Sequence, residues 1–515
     1  MNEVWLSETS VPGATTAILL GPILEETIRK ECLSYPKGVL WIAPSETKSA
    51  MTGEFPALAI AHCTDSGDLI IQAIRRLLGN EYDKQPVIKA SRGAETNSQE
   101  LYSAILDMVI SEIDSTFRSR KTRNEVGFQR QFQVFENLCG YLNGRVPDEW
   151  RDLASNSLAV VVGAGPSLDQ TLPLLKEGFP KPVVIAADSS LRALRSAGVD
   201  PDFVVSIDAE KTFDSCSDAN YAPGMAILSS QSHGSWRNKW KDKCRFLSGR
   251  VLTEDWLAEK GIAKTKLQAV NNAGLTALLF ADFLGPAGIV LIGMDLAQGG
   301  RGNERYAMST GRSHMKIHTE HFHKVPGNFE ASVPTPFLSD WQETSEMTSE
   351  VSKRRLIVNL NDRGAQLQGA TVIHPGDIEE LRSAISENLE PFEPSGEDLL
   401  SKRRAVQGNG MNQILTHMAN RCDRSWDGFP NKQVSHHKKS DYLKTLFADR
   451  DMASFLGDFA FTVLPKITSD APLRDKELEL AVDQLQNLIW RLEDAILECE
   501  PDERFLIRFL TEKFD

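Results

Sequence analysis

The chain of 515 residues carries short apolar runs separated by stretches of helical periodicity, and the pattern changes twice along its length. In the first 147 residues, Thr16–Leu20 and residues 39–43 are continuous apolar runs of strand length with an amphipathic stretch between them, the signature of a small βαβ unit. Residues 68–78 place apolar side chains every three or four positions, as a surface helix does, and a longer helical pattern covers residues 99–141. From 148 to 375 the runs are Leu158–Val162 and then residues 183–186, 203–207, 225–228 and 289–292. They are rich in β-branched residues and separated by helix-length segments, which predicts a parallel sheet covered on both faces. From 376 to 515 the pattern is helical, over residues 377–389, 410–421, 442–457 and 476–498, and Glu390-Pro-Phe-Glu-Pro-Ser-Gly396 reads as a break.

The expected fold class is α/β. A central Rossmann-like, mostly parallel sheet domain (148–375) follows a smaller N-terminal α/β domain that ends in a long helical segment (1–147). An all-helical C-terminal region (376–515) follows it.

The composition, 41% hydrophobic and 25% charged, is that of a globular protein with a sizeable core. A net charge of −14 argues against non-specific binding to nucleic acid or to an acidic membrane, while leaving room for a local basic pocket. The seven cysteines are scattered and include no Cys-x-x-Cys, so isolated thiols in a reducing compartment are expected rather than a disulfide framework or a zinc ribbon. The first residues lack a basic segment followed by a long apolar run, and no stretch approaches the roughly 18 apolar residues of a membrane span. A cytoplasmic location is expected.

Ligands of parallel sheets bind at the carboxyl ends of the strands, so those ends carry the candidate chemistry. After the first central run comes Gly163-Ala-Gly-Pro-Ser-Leu168. Gly163 and Gly165 permit close backbone approach, Pro166 suits a first helical position, and the free N–H groups of a helix start, near Ser167, favour an anion. A tight strand–helix turn with no ligand is the competing reading. No Gly-Lys-Ser/Thr follows, and Leu168 stands where a dinucleotide fingerprint has its third glycine. Asp188 and Ser189 follow the second run and Asp208 the third, where each serves either a ligand or a helix cap. Asn272, in Asn271-Asn-Ala-Gly-Leu-Thr276, precedes an apolar helix and is read in the same two ways. The last run leads into Gly293-Met-Asp295, then a glycine-rich loop and His314, His318, His321 and His323. Their spacings suit zinc, but with only Glu320 as a nearby carboxylate an acid–base role is favoured over a metal.

Together these segments resemble the motility-associated factor family, the flagellin nonulosonate glycosyltransferases. The resemblance rests on Gly163-Ala-Gly-Pro-Ser-Leu168, Ala187-Asp-Ser189, Gly198-Val-Asp-Pro-Asp-Phe203 running into Asp208, Leu291-Ile-Gly-Met-Asp-Leu-Ala297, Ser313-His314 and the stretch Asn359-Leu-Asn-Asp-Arg-Gly-Ala-Gln-Leu-Gln-Gly369. It implies a central domain similar to bacterial CMP-sialic-acid-dependent sialyltransferases. It also implies transfer of pseudaminic or legionaminic acid from a CMP donor to Ser or Thr of flagellin in the cytoplasm, with no metal required. Carried over, Gly163, Gly165, Pro166 and Ser167 would frame the nucleotide, and Asp188 and Asp208 would lie at the donor pocket. Asp295 and His314 would flank the sugar and acceptor, with His314 as the base. The chain departs from the family at Asp362-Arg-Gly-Ala365, where a glycine pair is broken.

Two rivals remain open. The same Gly-x-Gly-Pro-Ser-Leu turn begins archaeal-type hydroxymethylpterin pyrophosphokinases, which hold magnesium on paired aspartates, whereas Ser206-Ile-Asp-Ala-Glu210 offers one. The other rival is a flagellin-binding assembly factor without turnover.

Overall fold

The structure is a computed structural model. It describes residues 4–44, 51–79, 84–94, 99–177, 181–218, 220–298, 304–312, 323–379, 389–393, 411–426, 436–468 and 475–499, with residues 381 and 399. The chain divides into two compact units, 1–122 and 123–515.

The first unit is built on a five-stranded sheet of β1 (Trp5–Glu8), β2 (Thr16–Leu20), β3 (Gly38–Ala43), β4 (Leu58–His62) and β5 (Val87–Ser91), in the order β1-β5-β2-β3-β4. All pairs are parallel except β1 with β5. Every residue of β2 and β3 is buried because both faces are covered. Ile18, Leu20, Leu40 and Ile42 pack on Ile70, Ile74 and Leu77 of the helix Gly67–Gly79, while Ala17, Leu19, Val39 and Trp41 face Ile28 of the helix Glu25–Ser34.

The second unit holds the Rossmann-like sheet. Its strands are β6 (Leu158–Val162), β7 (Val183–Ala187), β8 (Phe203–Ser206), β9 (Met225–Ser229), β10 (Cys244–Leu247), β11 (Gly288–Ile292), then β14 (Leu356–Leu360) and β15 (Thr371–Ile373). The order is β10-β9-β8-β7-β6-β11-β14-β15, and every pair is parallel. Between β11 and β14 the chain makes a small antiparallel pair, β12 (His323–Val325) with β13 (Val333–Thr335). The period-2 alternation of a strand divides the central residues between two cores. Ala159, Val161, Ile289 and Leu291 face the helix Ala273–Leu284, and Val160, Val162, Val290 and Ile292 face Leu168, Leu172 and Leu194.

Within the second unit, packing crosses residues 147 and 375. Val134, Phe135 and Leu138 share one core with Val204, Leu228, Trp236 and Phe246 of the sheet domain and with Leu415, Leu443, Phe455, Phe459 and Leu485 of the C-terminal helices. Continuous apolar contact therefore joins the end of the long helix, the β8–β10 edge and the helical tail in one unit. The long helical pattern also breaks into Gln99–Glu136 and Leu138–Asn143. The break falls at Asn137, whose amide donates to the carbonyls of Ser230 (3.0 Å) and Ser232 (2.6 Å). A second expected helix, over 442–457, breaks at Asp449, whose carboxylate accepts the Met452 N–H and starts a new turn. The pattern expected over 377–389 lies largely outside the described residues, and residues 375–377 form a single 3-10 turn. Among the described residues, no helix is long and apolar enough to cross a membrane.

Candidate functional site

The strand order reverses at β6, which pairs with β7 on one side and β11 on the other. The carboxyl ends of β6 and β11 thus open the crevice where ligands of open α/β sheets bind. The turns after these two strands are sewn together: Gly163 N–H donates to Ile292 O and Gly165 N–H to Gly293 O, each at 2.8 Å. This is what the two glycines are for. A Cβ on Gly163 would stand 2.3 Å from Gly293 O, and one on Gly165 would stand 2.2 Å from Asp295 Oδ2. Their bare faces are occupied by the neighbouring turn, so they shape the crevice by permitting its walls to touch. Pro166 lies in the turn, and the helix begins two residues later, at Leu168.

Asp295 is the knot of this junction. Its Oδ2 accepts the Ser167 N–H and its Oδ1 accepts the Asn361 amide, both at 2.9 Å, and its carbonyl accepts Ala365 N–H at 2.8 Å. Burial raises the Asp295 pKa despite these hydrogen bonds from Ser167 and Asn361. Leu296, next in the chain, adopts φ +46°, a left-handed conformation costly for a leucine, and Thr335 Oγ1 holds its carbonyl at 2.6 Å.

After β7 the chain forms a 3-10 turn, Asp188–Ser190. Asp188, 1% exposed, accepts three hydrogen bonds: from Lys211 Nζ at 2.9 Å, and from Ser206 Oγ and Ser189 Oγ at 3.0 Å each. Burial alone would lower the Lys211 pKa, but the charge and hydrogen bond of Asp188, with Tyr306 and Asp208, together outweigh it and raise it, which favours the charged ammonium.

These elements, with the start of the helix Ala273–Leu284, frame a cleft of about 170 Å³. That is smaller than the roughly 300–1,000 Å³ of pockets that enclose a drug-sized ligand. Of the residues expected from sequence, Gly163, Gly165, Pro166, Asp188, Ser189, Asn272, Gly293 and Asp295 line it. Asn272 also caps the helix, its Oδ1 accepting Leu275 N–H at 2.7 Å. Ser167 is fully buried and contributes its N–H to Asp295. Asp208 is exposed, is not among the lining residues, and its carboxylate accepts Glu210 N–H at 2.9 Å. The catalytic candidate His314, with His318 and His321, lies outside the described residues, while His323 sits in β12.

Sequence reasoning missed Lys211, Arg305, Tyr306, Phe337 and Asp340, which also line the cleft. The Arg305 guanidinium lies 5.2 Å from the Tyr306 ring centroid and 5.3 Å from that of Phe337. Buried Arg312 supports the Tyr306 ring at 4.9 Å. Lys211 follows Asp208 by three residues, so its place beyond β8 was a usable signal. Arg305 and Phe337 lie in loops with no periodic pattern to place them. Arg363, at the broken glycine pair, turns to its neighbour Asp362 at 2.5 Å. The cleft thus joins two cations, two aromatic rings and three acidic residues, Asp188, Asp295 and Asp340.

The family model described as 6-hydroxymethylpterin diphosphokinase MptE-like matches residues 134–301. No curated protein matches the chain. Among solved structures, the chain is similar to a MAf glycosyltransferase from Magnetospirillum magneticum AMB-1, with a TM-score of 0.44 and 15% sequence identity over 94% of this chain and 78% of that one.

Proposed function

We propose that the chain is a glycosyltransferase that moves a nonulosonic acid, pseudaminic or legionaminic, from its CMP donor to Ser or Thr hydroxyls of flagellin in the cytoplasm. The observation that carries this reading is how the charges of the cleft are used. Asp188 is consumed by Lys211, and both oxygens of Asp295 are held by Ser167 and Asn361, whereas the Lys211 ammonium and the Arg305 guanidinium face the cleft. We read these two cations as the groups that would receive an anionic donor, in a wall that also holds Asp340, while Asp188 and Asp295 already serve donors of the protein itself. The motif resemblance supplies the donor class and the acceptor.

In this reading Lys211 and the N–H groups of the cleft stabilise the departing cytidylate, placed where negative charge develops. Arg305, stacked on Tyr306 and Phe337, holds the donor's carboxylate or its base. The sugar's own carboxylate offsets the positive charge of the oxocarbenium-like transition state. His314 takes the proton of the acceptor hydroxyl. Asp295 acts as a positioning residue that fixes the turns after β6 and β11. The helical tail is the part left to receive flagellin.

A second reading, diphosphoryl transfer from ATP to a pterin, is favoured by the family model over residues 134–301. Against it stand the engaged carboxylates and the position of Asp208 outside the cleft. Thermal melting with CMP, CDP, ATP and ATP plus magnesium separates the two, because a ligand bound to the folded state raises the melting temperature by mass action. A rise with CMP that persists in EDTA is expected, and a rise confined to ATP with magnesium would transfer the assignment to the kinase reading.

A further inference from the structure

The cysteines expected to stand alone include two that meet. Cys139 lies in the short helix Leu138–Asn143, and Cys499 is the last residue of the helix Asp475–Cys499. The two helices pack together, and the thiols share a hydrogen bond. Asn143 Nδ2 donates to Cys139 Sγ at 3.5 Å. Arg237 stands beside them, paired with Glu498 and donating to Glu136 O at 2.6 Å. Both cysteines are half-buried, and Cys139 lines a cavity of about 410 Å³ whose wall also includes Arg237, Lys241 and Arg245. A small polar oxidant therefore has a path to the Cys139 sulfur.

Cys139 lines this cavity and Cys499 does not. The hydrogen bond from Cys499 holds the Cys139 pKa below the ordinary thiol range, against its burial and with help from Asn143 and the Arg237 charge. Cys244 lines the same cavity, but burial pushes its thiol up to about 12. Cys32 is likewise raised, by burial and then by Glu31. A thiolate is the nucleophile in thiol chemistry, so Cys139 is the reactive sulfur of this cavity.

We propose that Cys139 and Cys499 form a hydroperoxide-responsive modification site, with Cys139 as the attacking sulfur and Cys499 as the resolving one. The Cys139 thiolate attacks the terminal oxygen of a hydroperoxide. The O–O bond breaks, the alkoxide or hydroxide leaves and takes a proton, and Cys139 becomes a sulfenic acid. The Cys499 sulfur then attacks the Cys139 sulfur, the S–O bond breaks, and water departs with the thiol proton. Two thiols are oxidised to one disulfide while one peroxide is reduced to an alcohol (or water) and water. The bond ties the last turn of the Asp475–Cys499 helix to the helix that continues the long helix of the fold.

Hydrogen peroxide is the probe, on the full chain, with quenching by iodoacetamide, digestion and mass spectrometry. Wild type is expected to yield a linked Cys139–Cys499 peptide pair before Cys32 or Cys244 loses its alkylation. In Cys499→Ser, dimedone is expected to trap Cys139 as sulfenic acid. Iodoacetamide labelling of untreated protein is expected to reach half its maximal rate at a lower pH for Cys139 than for Cys32. The proposal is overturned if wild type gives no linked pair while other cysteines oxidise. It is also overturned if Cys499 oxidises as fast in Cys139→Ser as in wild type. The wild-type measurements stand whether or not either variant folds, and they are independent of the transferase reading.

Discussion

Replacing Lys211 with methionine removes the cation that compensates Asp188 and leaves most of the surrounding volume filled. Asp188 is 1% exposed and the Lys211 side chain 18%, so the pair is screened little by water. Breaking a buried ion pair from one side costs about 3–5 kcal/mol, because the surviving charge is left uncompensated. Ser189 and Ser206 still donate to the carboxylate, which places Lys211→Met at the lower end, about 3 kcal/mol. Adding Asp188→Asn removes the stranded charge, so the double variant is expected within about 1–2 kcal/mol of wild type, with a strongly non-additive cycle. The assay is urea unfolding at neutral pH followed by tryptophan fluorescence, since Trp150, Trp236, Trp240 and Trp256 are buried in the same unit. The folded double variant is also expected to bind CMP at least about tenfold more weakly, a loss of about 1.4 kcal/mol. A cost below about 0.5 kcal/mol for Lys211→Met, or an additive cycle, would show that Lys211 does not compensate the Asp188 charge.

Gly165→Ala sets a Cβ against Asp295 Oδ2 and is expected to cost about 2–3 kcal/mol in urea unfolding, whereas Gly79→Ala, with nothing within 4 Å of the added Cβ, is expected to be neutral. Arg305→Ala, at an exposed side chain, is expected to weaken CMP binding in calorimetry while leaving the urea midpoint unchanged. Asn272→Ala removes the cap on Leu275 N–H and is expected to cost about 1 kcal/mol by the same unfolding assay. Burial raises Glu254 to about 7, against hydrogen bonds from Ser230 and Gly249. Between about 4.5 and 7 the folded state then binds a proton that the unfolded state has released, so its contribution to stability falls as pH rises through that window, by about 3 kcal/mol in all. Glu254→Gln, which mimics the protonated form, is expected to flatten that dependence when urea midpoints are compared at pH 5 and pH 8, and an unchanged slope would remove Glu254 from its cause.

The parallel core was legible because buried strands announce themselves. Leu158–Val162 and Thr16–Leu20 are continuous apolar runs, and each forms a strand buried at every position. The edge strands β1, β12 and β15 are short and partly exposed, so their residues carry no such run. The helix breaks at Asn137 and Asp449 depend on partners far away in the chain or on a local cap, neither of which alters hydrophobic periodicity. At the site, the glycines, Asp188 and Asp295 were legible as polar or small residues at strand ends. Their partners were not. That Asp188 holds Lys211, and that Asp295 joins Ser167 to Asn361, follows from strand order, which short apolar runs leave undetermined. The thiol pair Cys139–Cys499 was hidden for the same reason, since tail and sheet domain share a core that composition alone separates.

The central claim is most directly tested by incubating the purified protein with flagellin and a CMP-nonulosonate, pseudaminic or legionaminic in turn, in EDTA, and measuring the intact mass of flagellin and the CMP released. The account predicts that flagellin gains whole sugar residues in step with CMP, and that the Lys211→Met/Asp188→Asn variant, though folded, abolishes the gain. Unmodified flagellin with both donors, from a protein that transfers diphosphate from ATP to a hydroxymethylpterin in magnesium, would contradict it.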